Sequence, residues 1–494
     1  MADVDGSAPD AVAVRFGVFA ADALAGGIPE DVAASVRRRV VDVLGLCVGA
    51  LELPTSVAAA EFVSDAGGRP EATAIGLAER VPAAQAAFLN GVLAHSLDFD
   101  DTHLPSVLHP SASVVPAALA AAEAAGASGA DTVAAIAVGL EVAVRLGMAG
   151  YNTDLANSVF FEHGQHATSI CGAVGAAASA ALLLGLGADG VQHAIGVAAS
   201  MAAGIIEANR TGGTVKRLHC GWAAHSAVTA AQLVRRGFTG PPTAIEGRFG
   251  FLRAFLREEA DLAPLLEGLG ETWAVPGIFF KPYPANHFLH AAIDAGMDLR
   301  EQGLRAEDLD HITVRVPSSV IRTIGQPIEI KRAPVTGYQA QFSGPFAVIA
   351  GLIGGGGGLG LGLGDFTDEL AQDPWRRELM AKVDIEPSEQ CDAIYPFQFP
   401  AVVDAVDTAG REWHAEVLAN RGGPERPLND EELGIKFDMN VGAMLAPEVA
   451  GEIRSAALRM DQLPDVRAIL RPLAAIGTGP APAPIHEGEL HAAR

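Results

Sequence analysis

The chain has 494 residues with 34 basic and 59 acidic side chains, a formal net charge of −25 with histidine neutral, while 49% of it is hydrophobic and only 19% charged. This length usually holds two or more domains, and this apolar content can build large cores, which excludes disorder of the whole. So acidic a surface excludes non-specific binding to nucleic acid, although a locally basic pocket can still take an acidic ligand.

In chain order, the acidic start Met1-Ala-Asp-Val-Asp-Gly lacks the basic and apolar regions of a secretory signal, so the expected location is cytoplasmic. From about residue 10 to 270 the pattern is helical. Val36, Val40, Leu44 and Cys47 fall on one face behind the start signal Pro29-Glu30-Asp31, and the alanine runs 116–125 and 176–184 suit closely packed helices. The uncharged stretch 167–188 is long enough to span a membrane, but its Ala and Gly content with Thr168 and Ser169 predicts a helix buried in a tight core, and no membrane partner is expected. Cys47, Cys171, Cys220 and Cys391 lie far apart with no CxxC pair, which argues against disulfides, structural zinc and iron–sulfur clusters.

After Trp273 the texture changes. Residues 311–316 alternate apolar and polar, and 402–406 and 411–417 flank a turn at Thr408-Ala409-Gly410, so strands are predicted there. The glycine run 354–364 has no GK[ST] and is read as a loop rather than a phosphate cradle. Pro427 to Glu432 opens another helix, and Pro447 to Leu463 a further one that Pro464 interrupts; the stretch from Gly477, with its Pro-Ala repeats, is predicted to be a disordered tail. The expected fold is mainly α. A large all-α helical domain (1–274, returning at 423–476) carries a smaller α+β lid domain (275–422), followed by the tail 477–494.

Ten of the 14 histidines lie between residues 95 and 290, most of them in four short segments. In the first, 94–111, Asp98 and Thr102 are predicted one helical turn apart, with the proline-containing stretch after His103 returning His109 towards them. A carboxylate beside an imidazole supplies a base with an orienting partner, whereas the plainer reading is a capped, solvated helix end. The second segment places His166 just before the apolar run, at a helix N-terminus that favours the neutral ring. The third, Thr214 to Gly221, holds Lys216 and Arg217, cations able to clamp carboxylates and to stabilise an enediolate, against the reading of an exposed cationic turn. The fourth, Lys281 to His290, carries Asn286, His287 and His290; the two histidines could reach a ligand cleft or serve the domain junction structurally.

These segments carry a resemblance. LDFDDTH with HPS (97–103, 109–111), GxHxTxxxG (164–172), VKRLHxG (215–221), KPYP with following histidines (281–290) and TGYQAQFS (336–343) are together similar to the MmgE/PrpD family, collinearly over nearly the whole chain. That family includes 2-methylcitrate dehydratase, cis-aconitate decarboxylase and iminodisuccinate epimerase. The resemblance implies a helical domain with an α+β lid, a cleft site, a homodimer, and catalysis with no metal and no organic cofactor. Carried over by position, the catalytic residues are Asp98, Thr102, His109, His166 and Lys216, with His103, Arg217, Asn286 and His287 as substrate-binding residues. Asn286 stands where the decarboxylases carry a histidine, Ile321 where they carry a tyrosine, and Cys220 and Trp222 replace residues of the LHPGR-like turn.

The expected activity is a cofactor-independent lyase that removes water from a hydroxy di- or tricarboxylate such as 2-methylcitrate. His109 and His166 would move protons, Asp98 orient an imidazole, Thr102 hydrogen-bond and Lys216 bind carboxylate. Decarboxylation or epimerisation with the same groups is the close rival. A metal-dependent hydrolase using Asp98, Asp100, Asp101, His103 and His109, and a non-catalytic member of the fold, are the rivals of other classes.

Overall fold

The computed structural model describes residues 10–208, 213–257, 260–474 and 476, so the expected tail 477–494 lies outside the described residues. Over half of the chain is helical and strands are few. It forms two compact units. The first gathers the described residues up to Asn152, Ser158–Gly277 and the residues from Asn440 onward; the second comprises Thr153–Asn157 and Ile278–Met439.

The first unit is a helical bundle of α1 (Val12–Gly26), α2 (Glu30–Gly49), α3 (Pro54–Ala66), α4 (Ala83–His95), α5 (Ser111–Ala125), α6 (Gly129–Ala149), α7 (Ala167–Leu183), α8 (Gly187–Ala199) and α9 (Val215–Val234). Their ends follow local chemistry. Glu30 and Asp31 occupy the first turn of α2, where they complement the helix dipole. Ser128 caps α6 by accepting from Asp131 N, and Gly126 ends α5 in the left-handed region. Val36, Val40, Leu44 and Cys47 are all buried. Every residue of α7 is buried, as its small side chains predict. Among the described residues, α6 is the one helix long and apolar enough to cross a membrane, and 89% of that window is buried inside the protein.

Glycine sets the closest helix approaches. A Cβ on Gly175 of α7 would meet the Gly139 carbonyl oxygen of α6 at 2.3 Å, and one on Gly221 of α9 would meet the Phe88 carbonyl oxygen of α4 at 2.5 Å. With no side chain at these points, the backbones lie nearly in contact. The α4–α9 approach matters most for chemistry, because His95 ends α4 and Lys216 begins α9.

The second unit has α10 (His290–Gln302) and α11 (Gly344–Ile353) packed together, and a four-stranded sheet of β1 (Leu309–Val316), β2 (Val383–Pro387), β3 (Ala401–Asp407) and β4 (Glu412–Val417) in the order β2-β1-β3-β4. β1 pairs parallel with β2 and antiparallel with β3, and β3 and β4 form a hairpin. Ile312, Val314 and Val316 point into the core, as the alternation predicts. The hairpin turn is held by buried Asp407, which accepts from Ala409 N, Arg411 N and Trp413 Nε1. The glycine run is a loop whose ends are tied by Asp365, accepting from Gly356 N and Gly362 N.

Two boundaries differ from expectation. The return to the first unit comes at Asn440 rather than 423, inside the helix α12 (Asp430–Val441). The start of α12 is anchored in the second unit: Arg421 pairs with Glu432 at 2.5 Å, and Gly422 exchanges backbone hydrogen bonds with Phe280 and Arg426. The next helix, α13 (Pro447–Leu458), ends before Leu463 and gives way to a 3₁₀ turn over Met460–Gln462.

Candidate active site

The first unit brings together the residues from 95 to 111, His166 and the beginning of α9. The helix predicted to align Asp98 with Thr102 does not form. α4 stops at His95, the Ser96 hydroxyl donates back to Val92 O at 2.6 Å, and Asp98 takes a left-handed φ of 53°. Asp tolerates this region better than most residues, but the conformation still costs about 1 kcal/mol or more. An ion pair offsets the cost: Asp98 Oδ1 lies 2.6 Å from Lys216 Nζ, the carboxylate 5% and the ammonium 15% exposed. Asp98 thus holds the cation, and Asp100 holds an imidazole, its Oδ2 lying 2.6 Å from His95 Nδ1 with both side chains fully enclosed.

Asp101 is the post of the loop. Its carboxylate pairs with buried Arg39 at 2.7 Å and accepts from the Ser111 amide and hydroxyl at the start of α5. Its carbonyl oxygen lies 2.7 Å from His109 Nδ1. A carbonyl only accepts, so His109 Nδ1 carries the hydrogen and the lone pair of the neutral ring sits on Nε2. The Thr102 hydroxyl lies 3.3 Å from the same nitrogen, and the His109 amide donates to Thr168 Oγ1 on α7 at 3.2 Å.

His166 occupies the N-cap position of α7, with its amide donating to Gly204 O at 3.1 Å. Its Nδ1 lies 2.9 Å from Nδ1 of His219, one turn along α9 from Lys216. The imidazoles pack on one another: ring centroids are 5.4 Å apart for His95 and His109, 5.6 Å for His95 and His166, and 4.9 Å for His166 and His219. Burial, then His95, His219, Lys216 and His109, hold His166 well below the ordinary histidine pKa. Burial, with His95 and Lys216, pushes His219 down to about 4. Near pH 7 both rings are therefore neutral and able to accept a proton.

Of the nine residues singled out from sequence, Asp98, Thr102, His109, His166 and Lys216 lie in this cluster. His103 supports the loop: its Nδ1 is 2.7 Å from Ser106 Oγ, and burial beside Arg39 takes its pKa down to about 4. Arg217 donates to Thr55 Oγ1 on α3 at 3.2 Å. Asn286 and His287 belong to the second unit. Asn286 Oδ1 accepts from Phe288 N, and His287 is buried, stacked on His290 at 4.4 Å with Phe279 and Phe399 edge-on to it.

Sequence reasoning gave no role here to His95, Arg39 or His219, and offered Asp100 and Asp101 only as candidate metal ligands. Asp100 and His219 stand inside the quoted motifs, and His95 is five residues before Asp100, so the motifs themselves carried the signal. Arg39 carried none, being one cation among three in the run Arg37-Arg38-Arg39 on α2. The carboxylates once grouped as candidate metal ligands are spread over different partners, and among the described residues no group of three or more His, Cys, Asp or Glu is placed to hold a metal ion. The thiols of Cys47, Cys171, Cys220 and Cys391 are unbridged and buried, and burial raises the pKa of each.

Known proteins share this arrangement of sequence. The sequence model of the MmgE/PrpD N-terminal domain matches residues 14–262, and that of the MmgE/PrpD C-terminal domain matches residues 283–462. The chain is similar to cis-aconitate decarboxylase of Homo sapiens, with 29% identity over 398 residues covering 78% of each chain. It is 26% identical to the cis-aconitate decarboxylase-like protein oryM of Aspergillus oryzae, over 90% of this chain and 94% of that protein. With the cis-aconitate decarboxylase of Aspergillus terreus it shares 24% identity over 94% of this chain and 96% of that protein.

Proposed function

The chain belongs to the MmgE/PrpD family, and from that premise we propose that it is a cofactor-independent lyase of small polycarboxylates, working by proton transfer at a carbon next to a carboxylate. The observation that carries this reading is the placement of one ammonium, Lys216, held by Asp98 in the same cluster as His166, whose ring is kept neutral by burial and by that charge. Removing a proton next to a carboxylate builds a second negative charge on that group. The step therefore needs a base that is unprotonated at working pH and a cation at the developing charge. His166 and His109 supply the base and, on the return, the acid. Lys216, steadied by Asp98, supplies the cation, and Thr102 hydrogen-bonds beside His109.

The first reading of the outcome is dehydration of a hydroxy di- or tricarboxylate such as 2-methylcitrate: the base takes the proton, the dianion expels the neighbouring hydroxyl, and the imidazolium protonates it as it leaves. The second is decarboxylation of cis-aconitate, favoured by the names of the relatives at 24–29% identity. There, loss of carbon dioxide leaves the carbanion and the acid delivers a proton to carbon. Asn286 and Ile321, which depart from the decarboxylase pattern, favour the first. Incubating the purified chain with citrate, 2-methylcitrate, cis-aconitate and iminodisuccinate, and following the products by mass, tests both. Loss of water supports dehydration, loss of carbon dioxide supports decarboxylation, and no change in any of the four contradicts the proposal.

A further inference from the structure

We propose that His219 is a positioning residue that fixes the tautomer of His166, so that His166 exchanges protons with substrate through Nε2; this rests on the reading of His166 as a proton-transfer group. The observation is the 2.9 Å separation of the two Nδ1 atoms. Two nitrogens at that distance share one hydrogen: two lone pairs would repel, and two N–H groups would collide. One ring must be the donor and the other the acceptor.

The chemistry selects the direction. If His219 donated, the lone pair of neutral His166 would sit on Nδ1, pressed against its neighbour, and Nε2 would carry a hydrogen and could not accept the substrate proton. With His166 Nδ1 donating, its Nε2 holds the lone pair. When that nitrogen takes a proton from carbon, the resulting imidazolium still donates through Nδ1 to the neutral His219, and the proton later leaves by the same Nε2. No hydrogen between the rings has to move during the cycle.

The surroundings support the arrangement. The Ser169 hydroxyl shares its one hydrogen between Ala203 O at 2.6 Å and the His219 carbonyl oxygen at 3.0 Å, so the first turn of α7, which starts just after His166, lies against α9 near His219. An imidazole in the place that a carboxylate takes in many catalytic pairs has a further effect: a neutral acceptor orients His166 without adding a negative charge that would raise its basicity. His95 from the end of α4, His109 from the following loop, and Lys216 with His219 from α9 are the titratable groups facing His166, and the Lys216 ammonium disfavours its protonation. His95 in turn faces Asp100, and Lys216 faces Asp98.

Nitrogen NMR of ¹⁵N-histidine-labelled protein, assigned with a His166→Gln variant, reads the tautomer directly. Hydrogen on Nδ1 of His166 is expected; hydrogen on Nε2 of neutral His166 overturns the proposal whether or not a substrate has been found. On whichever acid the wild type turns over, His219→Leu should lose about 10²-fold in kcat with KM little changed. His219→Asn, whose amide oxygen falls near the former Nδ1, should recover at least about tenfold of that loss, because it restores the acceptor. His219→Asp should move the acidic limb of the pH–rate profile upward by about one unit or more, since a carboxylate favours the imidazolium. A His219→Leu enzyme with the wild-type rate and profile would overturn the proposal. If that variant does not fold, the tautomer and the Asn and Asp variants decide. A wild type inactive on all four acids would contradict the proposed function and leave the NMR test standing.

Discussion

Asp98 and Lys216 form an ion pair in which the carboxylate is buried and the ammonium partly open, so removing the cation has two separable effects. Lys216→Met keeps the apolar stem but deletes the charge at the developing dianion; turnover should fall by roughly 10²–10³. It also leaves Asp98 without its cation, which costs on the order of 3 kcal/mol if the carboxylate stays ionised. The double variant Asp98→Asn with Lys216→Met should recover most of that stability and none of the activity. Thermal melting and rate measurements on the three proteins check this, and a double variant as active as wild type would remove the pair from the site. A second expectation concerns pH. His103 and His219 have pKa values near 4, below the ordinary histidine value of about 6.5, so between these values the unfolded state binds more protons than the native one. Their contribution is complete above about pH 6.5 and is lost as pH falls towards 4. The melting temperature should drop across that window, and less steeply in His103→Asn; an unchanged slope would contradict the assignment for His103. The residues of this site were legible as types but not as partners. Asp98 could be picked out because Asp, Thr and His are dense in an alanine-rich stretch, yet its turn to a positive φ and its pairing with a residue 118 positions away leave no local trace.

At the scale of elements, the site depends on how closely α4 and α9 approach. Gly91 and Gly221 face each other there, and a Cβ on Gly221 would meet Phe88 O and a Val92 methyl, both at 2.5 Å. Gly221→Ala should therefore push the helices apart, costing about 1–3 kcal/mol and shifting Lys216 and His219 relative to His95. Gly451→Ala on α13 is the comparison: a Cβ there meets nothing within 4 Å, and alanine favours the helix by up to about 1 kcal/mol. We expect a lower melting temperature and lower rate for the first, and an unchanged rate with equal or higher melting temperature for the second. The helix α2 was readable from its periodicity and start signal, and α7 from its uncharged run of small residues. The end of α4 was not, because LDFDDTH has the spacing of a helix, and it is the network around Asp100 and Asp101 that draws the chain away from it.

For the whole molecule, the change of texture after Trp273 marks the passage to the second unit at Ile278, whereas the return, expected at 423, falls at Asn440 because α12 continues unbroken through it. We propose that the protein works as a homodimer, and sedimentation at micromolar concentration should show twice the chain mass; a monomer would contradict this. Activity should also survive exhaustive chelation, since every proposed role falls to a side chain; loss of turnover restored by a metal would move the metal-dependent reading to first place. The central claim is that the imidazole cluster and Lys216 move a proton at a carbon next to a carboxylate, whatever group then leaves. Incubation of the four candidate acids in deuterium oxide, with mass spectrometry of substrate and product, tests it most directly. The account predicts that at least one acid gains deuterium at such a carbon with the wild-type protein, and that Lys216→Met and His166→Gln, both folded, abolish the gain. Absence of exchange with folded wild type, or undiminished exchange in both variants, would contradict it.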